Sequence, residues 1–374
     1  MITSNLSTLK INKLTQAQYD RELEAGNIDP NALYLTPDEE IDLSPYATIE
    51  QLDKIDNKFD TALFFRYSNM HMPTAAQWSD VAYGGGKFVA VAKNSNVAAY
   101  STDGMNWTQT ALPVESNWAR VAYGNGVFVT IAYFTNECAY SYDGITWNQA
   151  TVTTNLKYTS LAFDESYYIF YAIPEEGTAY KYTMDGSDWG TDELPVAAQW
   201  TDMTFDGSEC IIVSRYSNKI LTGHLMSWTE RTHNGPSSGL VAVASNGNSL
   251  TVALGAEGTG YVCWTNDRTT WHDVSVSNKP WTDVAYGNGK FVAVASGTNS
   301  AMHSTDGANW TEVKLPCVAS WTRVSYGNGV FTACAHESNL VAVSYDGVTW
   351  VGEEKKIVDK NGNDITSIIK SILS

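Results

Sequence analysis

The sequence predicts a mainly-β fold. It is read as a seven-bladed β-propeller of four-stranded blades, with a small α/β N-terminal module, a short helical stalk and a C-terminal helix. Three observations predict this. First, a unit of about 40 residues recurs along most of the 374-residue chain, the period of a propeller blade. Its second tryptophan falls at Trp107, Trp147, Trp189, Trp228, Trp271, Trp310 and Trp350, seven copies spaced 40, 42, 39, 43, 39 and 40 residues apart. Second, each copy reads as four short β-rich runs divided by turn residues. Third, the first 60 or so residues lack tryptophan and carry a different pattern.

Within the unit, "WTDVAY" is strand a and "GNG" is a tight turn that needs positive φ. "KFVAVA" is strand b, a polar loop such as "SGTNS" follows, and "AMHST" is strand c. Asp-Gly then turns into strand d, "WTEVKLP". The first aromatic of the unit is Trp78, Trp118, Tyr158, Trp200, Trp281 or Trp321, and the degenerate fifth copy has Leu240 there. The fourth copy has lost its Asp-Gly turn. Each copy is expected to be complete from strand a to strand d within 78–358, so no swapped closing strand is required. The run "LFFRY" at 63–67 is left open as an added strand at the ring junction.

The ends are read separately, giving an N-terminal module over 1–47, a stalk over 48–72, the propeller over 73–358 and a C-terminal turn and helix over 359–374. "LKINKL" and the run after Pro30-Asn31 are strands. Thr15 with Gln18 caps a helix that Gly26 ends, and Thr48 with Gln51 opens a second. Ile49, Leu52, Ile55, Phe59 and Ala62 form a near-heptad stripe on that second helix, which is too short to stand alone. It is expected to pack on copies of itself, as a homotrimer, or on a neighbouring protein. Ile365, Ile368, Ile369, Ile372 and Leu373 share one face of the C-terminal helix.

Composition narrows the function. A net charge of −18 argues against nucleic acid and anionic membranes as partners. No signal peptide and no run long enough to span a bilayer are read, so assembly in a host cytoplasm is expected. Cys138, Cys210, Cys263, Cys317 and Cys334 show no paired spacing and read as small buried hydrophobes. No metal pattern and no cofactor motif is read; "DKNGND" at 359–364 is a turn rather than a calcium loop.

Two resemblances follow. "STDGMNW", "SYDGITW", "STDGANW" and "SYDGVTW" resemble a shortened Asp-box, the S-x-D-x-G-x-x-W turn of sialidase-like propellers. The resemblance implies a structural role for Asp103, Asp143, Asp185, Asp267, Asp306 and Asp346, and for the seven second-position tryptophans, on the face away from a ligand. "KLTQAQYDRELEAGNIDPNALYLTPDEEIDLSPYAT" resembles the start of bacteriophage and prophage tail or fibre proteins. That implies a virion-attachment module, contacts with other tail or baseplate proteins, and a place in the phage tail.

The d–a connections and b–c loops share one face, the expected ligand face. Two after the first aromatic stand Asp80, Arg120, Ser160, Asp202, Ala242, Asp283 and Arg323. Arg120 and Arg323 read either as members of an ion-pair belt or as a polar mouth for a sugar. The b–c loops repeat Asn96, Asn136, Asn218, Asn299 and Asn339, ascribed to Asx-type turns. Residues that differ between copies are the better recognition candidates: Phe134, Glu137, Glu175, Glu176, Tyr216, Lys219, Glu257, His336 and Glu337. The expected function is host recognition: a tail-associated receptor-binding protein, not an enzyme, presenting the propeller to a cell-surface glycan or protein. A purely structural virion protein and a sialidase-like glycosidase are the alternatives.

Overall fold

A computed structural model describes residues 70–352 apart from 257, together with the backbone of Ile11–Lys13, Leu33–Leu35, Phe64–Tyr67 and Lys355–Val358. The chain divides into two compact units, Asn69–Glu353 and the two flanking ends taken together. In the second unit, Ile11–Lys13 runs parallel to Leu33–Leu35, and Tyr34 pairs with Phe64. Phe64–Tyr67 pairs antiparallel with Lys355–Val358. The open question at 63–67 is thus answered: Phe64–Tyr67 belongs to this sheet. The expected stalk helix, N-terminal helix and C-terminal helix lie outside the described residues.

Asn69–Glu353 is built of antiparallel strands, and no described residue is helical. The first copy shows the plan. His71–Gly84 pairs with Lys87–Lys93, which pairs with Ser95–Ser101, which pairs with Thr108–Ser116. Turns follow the sequence closely. Asn125 and Gly126 both take positive φ between Gly124 and Val127, which face each other across the hairpin. This is the two-residue turn that an Asn-Gly pair favours. Long strands join neighbouring copies: Asn148–Thr151 lies against Glu137–Tyr140, while Ser160–Asp164 of the same strand lies against Ile169–Ile173.

The core lies between adjacent copies. Trp78, Trp118, Tyr158, Trp200 and Trp321 are all fully buried, each among residues of two copies. Close approach at these joints needs glycine. A Cβ on Gly327 would lie 1.9 Å from Tyr83 Cγ, and one on Gly84 would lie 1.9 Å from Tyr123 Cγ.

The junction corrects one expectation. Strand Ser338–Ser344 of the last copy pairs with Val351 at one end, through Val343, and with His71 and Ala76 at the other, through Leu340 and Ser338. The outer strand of the last copy therefore comes from both ends of the unit, and a swapped closing segment is present. The reason is visible in the offsets. Met72-Pro73 precedes Trp78 as Leu112-Pro113 precedes Trp118 and Leu315-Pro316 precedes Trp321. Met72, Leu112 and Leu315 are all buried, so the N-terminal segment fills the slot that an outer strand fills elsewhere. Across the same joint Thr332 Oγ1 donates to the Gly104 carbonyl at 3.0 Å, and Asn328 Nδ2 donates to that of Thr102 at 3.1 Å.

Candidate functional site at the mouth of the ring

Every copy carries an irregularity at the start of its inner strand. Register slips between Trp78 and Asp80, Trp118 and Arg120, Tyr158 and Ser160, Trp200 and Asp202, Leu240 and Ala242, Trp281 and Asp283, and Trp321 and Arg323. Such a bulge re-aims the side chain that follows it. Four of the bulged residues, Ser79, Thr159, Thr201 and Thr282, span two copies through a hydroxyl, whereas Thr322 Oγ1 reaches only the Cys334 carbonyl of its own copy. Ser79 Oγ donates to the Val91 and Trp118 carbonyls, Thr201 Oγ1 to those of Val213 and Leu240, and Thr282 Oγ1 to those of Val294 and Trp321.

The next residue forms the channel belt. Asp80 Oδ2 accepts the Val121 amide at 2.9 Å, Asp202 Oδ2 that of Val243 at 3.0 Å, and Asp283 Oδ2 that of Val324 at 2.9 Å. Arg323 pairs with Asp80 at 3.1 Å and with Asp283 at 4.0 Å, and donates to the Thr322 carbonyl at 3.2 Å. Arg120 donates to the Ala119 carbonyl at 3.1 Å and forms no salt bridge with a described residue. Burial pushes the Asp283 carboxyl up to about 7 despite Arg323, and raises Asp202 too. Burial and the neighbouring Arg323 lower the Arg120 guanidinium. In Arg323, burial acts downward but the Asp283 and Asp80 charges outweigh it.

Above the belt the b–c loops frame a cavity of about 850 Å³. Arg120, Arg323, Tyr216, His336 and Glu175, all foreseen, line it, as do Lys93, Arg215 and Trp200, which were not. Lys93, Glu175, Arg215 and His336 hold the same repeat position, so a comparison of copies could have found them. The Lys93 ammonium is lowered by burial and then by Arg120 and Arg323. Tyr133 donates to Glu175 at 2.7 Å; burial and that bond push its phenol up to about 12.

Other candidates lie elsewhere. Phe134 is exposed and does not line the cavity, Glu137 accepts from Gln149 at 3.0 Å, Lys219 pairs with Glu230 at 2.6 Å, and Glu337 accepts from Gln77 at 3.1 Å. Glu176 is exposed, and Glu257 lies outside the described residues. The loop asparagines need one correction. The turn is closed by the preceding hydroxyl: Ser95, Thr135, Ser217, Thr298 and Ser338 each accept the amide two residues on. This is the hydroxyl counterpart of an Asx turn. The residue before that hydroxyl is left-handed, with φ of 51° at Asn94, 61° at Phe134, 57° at Tyr216, 67° at Gly297 and 53° at Glu337. Two large aromatics thus occupy a conformation that glycine or asparagine holds in other copies.

On the opposite side, Asp103 Oδ1 accepts the Met105 and Asn106 amides at 2.8 Å, and Trp107 Nε1 donates to the Gly104 carbonyl at 3.0 Å. Asp143, Asp267, Asp306 and Asp346 each accept two amides in the same way, and Asp185 accepts that of Ser187. Bonds from Asn309 hold Asp306 at about 2, and the Thr349 amide holds Asp346 there.

No family model and no curated protein matches the sequence. Solved structures do match. Streptogramin B lyase aligns with a TM-score of 0.65 at 10% identity, covering 75% of this chain and 97% of that one. The fold of Asn69–Glu353 is a β-propeller. A catalytically inactive histidine variant of virginiamycin B lyase from Staphylococcus aureus, with quinupristin, aligns at 0.64 and 11% identity over 75% of this chain and 99% of that one. YCF48 bound to a D1 peptide aligns at 0.57 and 14% identity over 74% and 94%. At these identities the likeness shows the fold alone. The propeller carries an enzyme in one neighbour and a peptide complex in another.

Proposed function

We propose that the chain is a bacteriophage tail-associated receptor-binding protein whose seven-bladed propeller recognises an acidic cell-surface glycan through its b–c-loop face. The reading rests on one observation above all. In a chain of net charge −18, the mouth cavity gathers Lys93, Arg120, Arg215 and Arg323 with one exposed aromatic, Tyr216. Cations with a planar ring suit a carboxylate-bearing sugar. The seven-blade count rests on the seven second-position tryptophans and on the pairing found within each copy. The resemblance of residues 1–47 to phage tail proteins supports attachment to tail or baseplate partners, and the apolar stripe over 48–63 supports a homotrimer. The shortened Asp-box turns are read as belonging to the face away from the ligand.

A non-catalytic role is preferred because the belt aspartates are tied to the backbone of the next copy. A glycosidase needs a freely placed acid and nucleophile instead. A purely structural virion role is the second reading, favoured by the interlocked belt. The test is binding of the full chain to a glycan array and to intact host cells, with turnover of fluorogenic glycosides in parallel. Binding to acidic glycans that is lost in Arg120→Ala supports the proposal. Turnover would establish the glycosidase, and absence of binding to both glycans and cells would leave the structural role.

A further inference from the structure

One joint between copies brings together three side chains able to hold a metal ion. Five residues after the second tryptophan, the repeat places a buried apolar residue: Leu112, Val152, Leu194 or Leu315. Leu112 packs in one cluster with Ala139 of the next copy, and Leu315 with Ala342. At the joint between the fourth and fifth copies these two places hold His233 and Cys263, which are 1% and 0% exposed. Asp273 stands opposite Cys263 in the sheet register. A ring nitrogen of His233, the Cys263 sulfur and an Asp273 oxygen all lie within 4.8 Å of one another.

The surroundings hold these donors in place. Cys263 donates to Asp273 Oδ1 at 2.8 Å. His233 Nδ1 accepts the Gly235 amide at 3.1 Å, and the ring also meets the Ser217 backbone. The ring stacks on Tyr261 at 6.1 Å, and the Tyr261 hydroxyl donates to the Gly239 carbonyl at 2.8 Å, which fixes the connecting loop. A Cβ on Gly235 would stand 3.0 Å from Asp273 Oδ1 and 3.1 Å from His233 Nδ1, so glycine keeps the space between them open. Burial lowers the imidazolium, so the ring is neutral, and burial also raises the Cys263 thiol. With Nδ1 accepting from Gly235, the ring proton stands on Nε2. Nδ1, on the Asp273 side of the ring, is the nitrogen a metal would take by displacing that amide. A Leu–Ala pair fills these places at two other joints, whereas a buried imidazole and thiol are costly to desolvate without strong partners.

We propose that His233, Cys263 and Asp273 bind one divalent transition-metal ion that pins the fourth and fifth copies together. The nitrogen, sulfur and oxygen donors suit zinc, with the exposed Asp273 leaving a fourth position to water. Binding forms a metal–thiolate bond, and the thiol proton leaves to solvent. The location fits the role, because the fourth and fifth copies have lost the Asp-Gly turn and the first aromatic that mark the others.

The experiment uses the full chain stripped with a chelator and titrated with Co²⁺ and then Zn²⁺. The expected result is one Co²⁺ bound per chain with a thiolate charge-transfer band, displaced by Zn²⁺, and a Zn²⁺-dependent rise in thermal midpoint. Asp273→Asn should weaken Zn²⁺ binding at least about 10-fold. Cys263→Ala combined with His233→Leu recreates the pair used at other joints; it should fold, show no band and lose the Zn²⁺ response. A wild-type chain with neither band nor midpoint shift overturns the proposal. So does a folded double variant that retains both.

Discussion

The left-handed aromatics of the b–c loops offer a test in which stability and binding should separate. Phe134 and Tyr216 are 63% and 68% exposed, yet take φ of 61° and 57°. That backbone costs an L-residue about 1–2 kcal/mol. Replacing both with glycine removes the strain, while the freedom of glycine in the unfolded chain returns about 0.5–1 kcal/mol at each site. About a third of each side chain is covered, roughly 70 Å² of an aromatic's ~200 Å², and at ~25 cal/mol per Å² this is an upper bound near 2 kcal/mol. The terms partly offset, so Phe134→Gly and Tyr216→Gly should each destabilise by no more than about 2 kcal/mol, roughly 4–8 °C in Tm. Trp321→Ala, at a fully buried site, should cost about 3–5 kcal/mol. Calorimetry gives the stabilities, and binding to host cells gives the function. Loss of about 10-fold or more in affinity per aromatic is expected if these rings are contact anchors. A stability loss matching that of Trp321→Ala would show that the rings are packing elements. Unchanged binding by a stable double variant would refute the argument that strain at these loops is retained for recognition.

Two further predictions concern the ring itself. Gly327→Ala should be the more damaging of two glycine changes, because its Cβ collides with Tyr83 at the junction of the first and last copies, while Gly329→Ala meets no atom within 4 Å and bears only its φ of 79°. Denaturant titration should give more than about 3 kcal/mol for the first and about 1–2 for the second; equal values would mean the junction yields easily. Asp283, with its carboxyl near 7 against about 4 unfolded, holds its proton on folding, so its contribution is present below about pH 4 and lost as pH rises through 7. Asp283→Asn should flatten the decline in stability between about pH 4 and 7, and an unchanged slope would assign that decline to other groups.

Much of the propeller is legible in the sequence because its local signals agree. The Asn-Gly turns, the buried first aromatics and the repeat spacing all point one way. The closing segment was equally legible, since Met72-Pro73 repeats Leu112-Pro113, but recognising it requires extending the copy comparison upstream of Trp78. The mouth was only half legible. Arg120 and Arg323 hold a repeat position that any alignment of copies exposes. Lys93 and Arg215 each stand just before a left-handed residue at the end of strand b, and backbone handedness at Asn94 or Tyr216 is not written in hydrophobic pattern. His233 and Cys263 are further from reach: neither carries a spacing motif, and their meeting depends on which neighbouring copies share a joint.

The two arginines, alike in sequence position, divide the work of the mouth differently. Arg323 lies between Asp80 and Asp283, each of which also holds a backbone amide of the next copy. Removing it would leave two carboxylates without their shared cation in a channel where burial already disfavours the Asp283 charge. In the copy after Arg120 the repeat position holds Ser160, which donates to Asp202, and the Arg120 guanidinium has only the Ala119 carbonyl as a close partner among the described residues. A ligand carboxylate would supply a direct partner there, where Asp80, Asp202 and Asp283 act only from a distance, with Lys93 lining the same cavity. On this reasoning Arg323 holds the belt together and Arg120 is the group an acidic ligand meets. Loss of Arg120 should thus abolish the preference for acidic over neutral glycans at unchanged fold, whereas loss of Arg323 should lower stability first.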